Sequence, residues 1–384
     1  MRLLSVYRKT LREQVRDLAS LSMVIVLCPF FVLLYWLMSG GGSTSYKVLV
    51  INNDRGSVAI GEHPRNDGAT VVEGLKNLRY VSGAPMLRVE ESADRAAADA
   101  RLRDRDAAVL VILPEDFTRT LSGGPRGGPV IVSGDAGSMP YAVASVLVYS
   151  ALDETIRGIT GVQPPVDWKE EFVGGTKPRS EFEMYVPGLL VLAIILLIFT
   201  TALPLVRERE DKTLRRLRVS RMTAFDLLGG VSLAQIVIGA ATILVTFLTA
   251  KALGFHSEGP LAAAVVVAVL ASGSVIAIGL VTACFCRNIT AVLTIGTLPF
   301  FLLMWFSGAA MPMPRVALFD LGARSFALND FLPPTHAVVA LNKILSLGAG
   351  LGDVMYEIAM IVVLTAIYFA AAVWIYRRTQ LRKE

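Results

Sequence analysis

The side chains best placed to do chemistry lie in Val206-Arg-Glu-Arg-Glu-Asp-Lys-Thr-Leu-Arg-Arg-Leu-Arg-Val-Ser-Arg221, a mostly charged segment between two apolar runs. A central Arg, Lys or Asp in a membrane helix costs about 2.5–3.5 kcal/mol, so this segment must face water at the surface where its apolar neighbours hold it. Within it Leu214, Leu217 and Val219 to Met222 recur near helical spacing. That pattern predicts a short amphipathic helix whose apolar edge is offered to a soluble partner. Its chemistry is recognition rather than bond-making. No Gly-Lys-Ser/Thr phosphate loop occurs, so ATP hydrolysis by that route is not expected. His63, His256 and His336 are dispersed, without metal-ligand spacing. Cys284 and Cys286 stand two apart on a helix and point roughly opposite ways, a poor chelating pair. Ser133-Gly-Asp135 and Glu90-Glu91 read as ordinary surface groups, and Gly123-Gly-Pro-Arg-Gly-Gly128 as a turn.

The elements that hold the charged segment are hydrophobic. The 384 residues are 54% hydrophobic and 18% charged, with a mean hydropathy of +0.57, too apolar for an ordinary soluble chain. Apolar runs near twenty residues reach across a bilayer core of about 30 Å. Six occur: 18–38, 186–206, 229–250, 261–285, 289–311 (interrupted by Gly296 and Pro299) and 355–376. Lys and Arg cluster before the first run, between the second and third, and after the sixth. This bias predicts both termini in the cytosol and residues 39–184 outside. The net charge of +5 is then explained by orientation, and nucleic-acid binding is not expected. Leu4, Tyr7, Leu11 and Val15 of residues 1–17, with Leu18 just beyond, fall at i, i+3 and i+4 steps among basic side chains. They predict an amphipathic helix in the headgroup plane. The run 18–38 is longer than a signal h-region and reads as a retained anchor. No Asp or Glu lies deep in any span, and Glu357 sits near the start of the sixth. An ion-coupled relay usually needs such groups.

The outer segment reads as a folded α/β domain. Tyr46–Ile51, Ala107–Leu113 and Pro129–Ser133 are expected strands, the second buried on both faces. Ser92 is the expected cap of a helix through Ala93–Leu102. Another short helix is expected from Pro114–Phe117 and a long one over Pro140–Gly158. Strand–helix–strand alternation predicts a mostly parallel sheet. Residues 164–178 read as a linker, and the domain contains no cysteine. The expected fold is therefore an α-helical membrane protein of six transmembrane helices, with an extracytoplasmic α/β domain inserted between the first and second.

Three motifs follow in order: Glu208-Arg-Glu-Asp-Lys-Thr213-Leu214-Arg-Arg-Leu217-Arg-Val219-Ser220, Ser307-Gly308-Ala-Ala-Met-Pro312-Met-Pro314, and Leu332-Pro333-Pro334-Thr335. With this arrangement the chain resembles an ABC-2 type transporter permease with a large extracytoplasmic domain, of the bacterial multidrug or lipid exporter type. It departs from the pattern at Lys212, where Gly is usual, at Arg221, where Pro is usual, and at His336, where Tyr is common. The resemblance implies a non-catalytic subunit without a cofactor of its own, ATP being bound by separate ATP-binding-cassette subunits. It also implies a second permease subunit, identical or paralogous, and a multi-pass place in the bacterial inner membrane among lipid. Glu208, Arg209, Glu210, Thr213, Leu214, Leu217 and Val219, in a cytoplasmic helix 207–222, would couple to the ATPase. Residues 312–345 would form short helices dipping into the outer leaflet, with Ser307, Gly308, Pro312, Pro314, Pro333 and Pro334 as an outer gate. Phe199, Thr297 and Phe301 are assigned to the substrate path, although the cluster Phe300, Phe301, Trp305 and Phe306 also suits an interfacial aromatic belt. Few polar anchors in the spans favour a hydrophobic or amphipathic cargo. The alternative functions are a membrane receptor or envelope tether that signals through the loop, and a secondary transporter, which the missing carboxylates oppose.

Overall fold

A computed structural model of the chain describes residues 2–39, 44–56, 65–80, 83–125, 127–162, 180–211, 222–311, 317–321 and 324–381. The chain forms two compact units, Ser39–Glu171 and the remainder, Met1–Met38 with Phe172–Glu384.

The Ser39–Glu171 unit is built on a sheet of β1 (Tyr46–Asn52), β2 (Leu87–Glu91), β3 (Val109–Leu113) and β4 (Ile131–Ser133). The strand order is β2-β1-β3-β4. β1 is parallel to β2 and β3, and β4 is antiparallel to β3. Every residue of β3 is buried, as expected of a central strand covered on both faces. One face packs on α3 (Asp67–Asn77) and α6 (Met139–Thr160), through Val71, Leu75, Val148 and Leu152. The other carries α4 (Arg95–Arg103), with Ala98 against Leu49, Leu110 and Ile112. A short α5 (Phe117–Leu121) follows β3. β2 and α3 are elements that the sequence patterns do not announce. The cap of α4 also differs from expectation. Asp94 accepts from Ala96 N at 2.8 Å, while the Ser92 N–H still donates to Val50 O in the strand ladder at 2.9 Å.

At the end of β1, Asp54 ties the unit together. Its carboxylate accepts Gly68 N (3.0 Å), Gly56 N (3.3 Å), Thr118 N (3.0 Å) and Thr118 Oγ1 (2.5 Å). It thereby joins β1 to the starts of α3 and α5. Burial pushes this carboxyl up, but the bonds from Thr118, Gly68 and Gly56 together outweigh burial and hold it below the usual range.

In the other unit, α1 (Arg2–Arg16) leads into α2 (Leu18–Met38). α7 (Glu181–Ile195) and α8 (Leu197–Glu210) form one long rod broken at Leu196. α9 (Ala224–Ala252) and α10 (Leu261–Phe285) are continuous. α11 (Ile289–Ile295) and α12 (Thr297–Phe306) are separated at Gly296, and α14 (Met355–Tyr376) is the last long helix. Among the described residues, five stretches are long and apolar enough to cross a membrane: Glu181–Glu210, Ala224–Ala252, Leu261–Phe285, Ile289–Phe306 and Leu351–Thr379. Ile25–Met38 is a shorter apolar helix. Small residues let these helices approach closely. A Cβ on Gly230 would stand 2.6 Å from Val6 Cβ, which sets α1 directly against α9. A Cβ on Gly279 would stand 3.0 Å from Ile198 O, which packs α10 against α8. The hydroxyls of Thr242, Thr246 and Ser272 donate to carbonyls four residues back, so these polar side chains are satisfied within their own helices.

The segment after α12 is not a set of short helices alone. β5 (Ala317–Leu321) and β6 (Arg324–Ala327) pair antiparallel, with Phe319 stacked on Phe326. A 3-10 turn, Leu328–Phe331, and α13 (Pro333–Leu347) then follow.

The Asp54 network predicts an acid-dependent weakness in the sheet unit. Because its folded pKa is depressed, the stability that Asp54 supplies is full above the unfolded carboxylate value of about 3.9. It declines as pH falls from there through the folded value. Asp54→Ala should cost about 3 kcal/mol at neutral pH. Hydrogen exchange in β1 and β3 of the full chain should report the loss, and exchange equal to wild type would show that the four bonds carry no stability.

Candidate functional site

The end of α8 is where the charged segment begins. Leu205 and Val206 are buried, and four charged residues follow at successive positions. About 100° apart around the helix axis, they face different neighbours. Arg207 Nη1 lies 3.1 Å from Asp17 Oδ2, just after α1. Glu208 pairs with Lys9 of α1, which is also 3.7 Å from Glu13. Arg209 Nη1 donates to Cys286 O (2.9 Å), the C-cap of α10. Glu210 Oε1 accepts Ile289 N (3.3 Å), the first residue of α11. A cation therefore meets a helix C-terminus and an anion the next helix N-terminus, each matched to the sign of the helix dipole.

Higher in α8, Pro204 has no N–H, so the Thr200 carbonyl loses its helical donor. Gln235 of α9, fully buried, donates Nε2 to that carbonyl at 2.8 Å, and Gln14 of α1 approaches it at 3.4 Å. A cavity of about 440 Å³ lies beside this junction, lined by residues that include Lys9, Gln14, Asp17, Pro204, Arg207 and Glu208. α1, α8 and α9 thus form one knot, with charged groups at its open end.

Of the residues assigned to coupling, Glu208, Arg209 and Glu210 are brought together on this clamp. Thr213, Leu214, Leu217 and Val219 lie outside the described residues, as do Pro312 and Pro314 of the assigned gate. Ser307 is buried and its Oγ accepts Ala309 N at 3.3 Å. Gly308 adopts φ +82, a left-handed conformation that favours glycine. The Ala309 carbonyl packs on Gly188 of α7, where a Cβ would collide with it. Pro333 and Pro334 are buried in the first turn of α13. Asn329 Nδ2 donates to Phe306 O at 2.9 Å and joins these two stretches. His336 is buried with Nε2 2.9 Å from Asp330 O.

The assigned path residues meet where two helices are broken. Phe199 follows the break at Leu196, and Thr297 follows the break at Gly296. Phe199 packs on Phe300, and Phe300 on Phe301, each at 5.5 Å between ring centroids. A Cβ on Gly296 would come 3.2 Å from Phe199. Thr297 bonds the Leu293 carbonyl of the preceding turn, and Phe301 is exposed.

Lys9, Asp17, Gln14 and Gln235 are participants that sequence reasoning did not select. The available signal was Pro204: a proline inside an apolar helix frees a carbonyl, and Gln235 carries the amide that answers it.

The family described as ABC-2 family transporter protein matches residues 18–374. No curated protein matches the chain.

The knot generates a paired prediction. Gln235→Leu removes the donor to Thr200 O and should destabilise the protein by about 1 kcal/mol. Pro204→Ala restores the helical N–H, so the double variant should recover most of that loss. Thermal melting of the detergent-solubilised chain reads both, and a melting point unmoved by Gln235→Leu would show that the bond contributes nothing.

Proposed function

The chain belongs to the ABC-2 family of transporter proteins, and from that premise we propose that it is the membrane-spanning permease subunit of an ATP-driven exporter. It is a multi-pass membrane protein. Membership of the family implies an ATP-binding-cassette partner, with hydrolysis in general on that separate subunit. The reading that goes further is an exporter that moves a hydrophobic or amphipathic cargo, such as a drug, lipid or lipid-linked compound, out of the cytoplasm or inner leaflet. Two permease subunits, identical or paralogous, would sit on the ATPases in a bacterial inner membrane, with six spans and both termini cytoplasmic.

The observation that carries this reading is the clamp at Arg207–Glu210. A partner that pulls on the segment beginning at Asp211 acts at once on α1, α10 and α11, because each is bonded to one of these four residues. A ligand shifts a two-state equilibrium only by its differential affinity for the two states. A stiff helix root bonded to three others can transmit such a bias. Midway along, the same rod is broken at Leu196, beside the break at Gly296. Discontinuous membrane helices that meet are where transporters commonly place a cargo path, which supports Phe199, Thr297 and Phe301 as its lining. The spans carry few polar anchors, which suits an apolar cargo.

Two experiments test the coupling. Leu214→Asp with Leu217→Asp should abolish co-purification of the cassette ATPase while leaving membrane insertion intact; normal co-purification would remove the coupling-helix assignment. Glu208→Lys should keep ATPase binding but lower transport-coupled turnover several-fold. Adding Lys9→Glu should restore turnover by re-forming the pair with reversed charges, and failure to restore it would separate the ion pair from coupling.

A further inference from the structure

A second cavity lies away from the clamp, between the arms of the α9–α10 helical hairpin, with single contributions from α7 and α13. Its volume is about 380 Å³. Its α9 wall runs from Ala240 to Lys251, about 16 Å at 1.5 Å per residue. The wall on α10 runs antiparallel, from Leu261 to Val269. Ala240, Ala264 and Ala268 supply the narrow side chains that leave the groove open, and Lys251 is the only polar side chain lining it among the described residues. Lys251 is exposed, stands in the last turn of α9, and makes no ion pair among the described residues. The groove is thus apolar along its length and positive at one end.

We propose that this groove binds one acyl chain of an anionic phospholipid, with the lipid phosphate on Lys251. Three features select that occupant. The length suits roughly a dozen methylenes in extended form, each worth about 0.8 kcal/mol when buried. The single charge sits at an end rather than along the wall, which fits an amphiphile with a terminal head. Its sign selects an anionic head over a zwitterionic or neutral one, because one basic residue at a membrane surface is worth about fivefold in affinity for an anionic lipid. A second protein copy would find no acidic or polar complement along this wall to pair with beyond Lys251. The inference stands on the groove itself and not on the exporter reading, since a bound lipid could serve as structural ligand or as cargo.

Native mass spectrometry of the purified full-length chain tests the site, with phosphatidylglycerol and phosphatidylcholine of identical acyl chains as probes. Wild type should retain phosphatidylglycerol about fivefold more strongly. Lys251→Gln should erase that preference and Lys251→Arg should keep it; both changes are at an exposed position and leave the core untouched. Ala241→Phe, also exposed on the groove wall, should weaken retention of both lipids by obstructing the chain. Equal retention of the two lipids by wild type overturns the assignment. So does a preference that survives Lys251→Gln, or retention unchanged by Ala241→Phe.

Discussion

The carbonyl of Thr200 ties three helices of the helical unit together. Hydrocarbon offers no water to a backbone oxygen, so a carbonyl orphaned by proline must find a donor inside the protein. Pro204 orphans this one, and the nearest donors are amides on two other helices, Gln235 and Gln14. Satisfying one oxygen therefore draws α1 and α9 onto α8. Gly229 and Gly230 make the approach possible, since side chains there would meet Leu3 and Val6. Once α1 is seated, Lys9 and Asp17 stand where Glu208 and Arg207 emerge from α8.

The charges at the α8 root then acquire a division of labour. Arg207 and Glu208 face α1, whereas Arg209 and Glu210 face the junction of α10 and α11. At that junction a carbonyl terminus and an amide terminus come within one connection of each other. Two adjacent side chains of opposite sign answer both. Exposed ion pairs alone are worth little. Here the value lies in geometry: four short bonds fix the direction in which the chain leaves the helix. Small residues do the complementary work in the spans. Gly239 and Gly279 remove the side chains that would hold α8, α9 and α10 apart, and Gly188 does the same between α7 and the Ala309 carbonyl.

What was legible in the sequence follows from which forces act locally. Helices that must cross hydrocarbon are forced into long apolar runs, so α9, α10 and α14 are visible as composition alone. The charge of Glu208–Glu210 was visible for the same reason, because charge in such a context demands water or a partner. The partners were not visible, since a Cys286 carbonyl or an Ile289 amide exists at every residue and only tertiary placement selects it. β2 was hidden because an edge strand buries little: only Leu87 of Leu87–Glu91 is buried, and three of the other four residues are charged. α3 was hidden by Gly68, Gly74 and the β-branched Thr70, Val71 and Val72, poor helix formers. That helix rests instead on the Asn66 cap and on burial of Val71, Val72 and Leu75. Ser92 and Asp94 are both competent caps; the strand ladder decides between them by still holding the Ser92 amide. Helices over the segment that holds β5 and β6 are what the family resemblance implies, yet Gly322-Ala323 between Phe319 and Phe326 is a turn signal.

The placement of β1 also fixes an order in time. A central parallel strand is made first by the ribosome, and neither of its neighbours yet exists. β2 and then β3 must follow, β3 trailing by about 60 residues, several seconds of synthesis at roughly 5–20 residues per second. Throughout that interval Val48, Leu49, Val50 and Ile51, buried in the finished sheet, keep at least one backbone edge open. With no cysteine in the unit, no disulfide can hold an early intermediate. The nascent sheet therefore passes through an aggregation-prone interval that ends only when Leu113 arrives, and a chaperone that shields Val48–Ile51 would act before the protein has any function to lose.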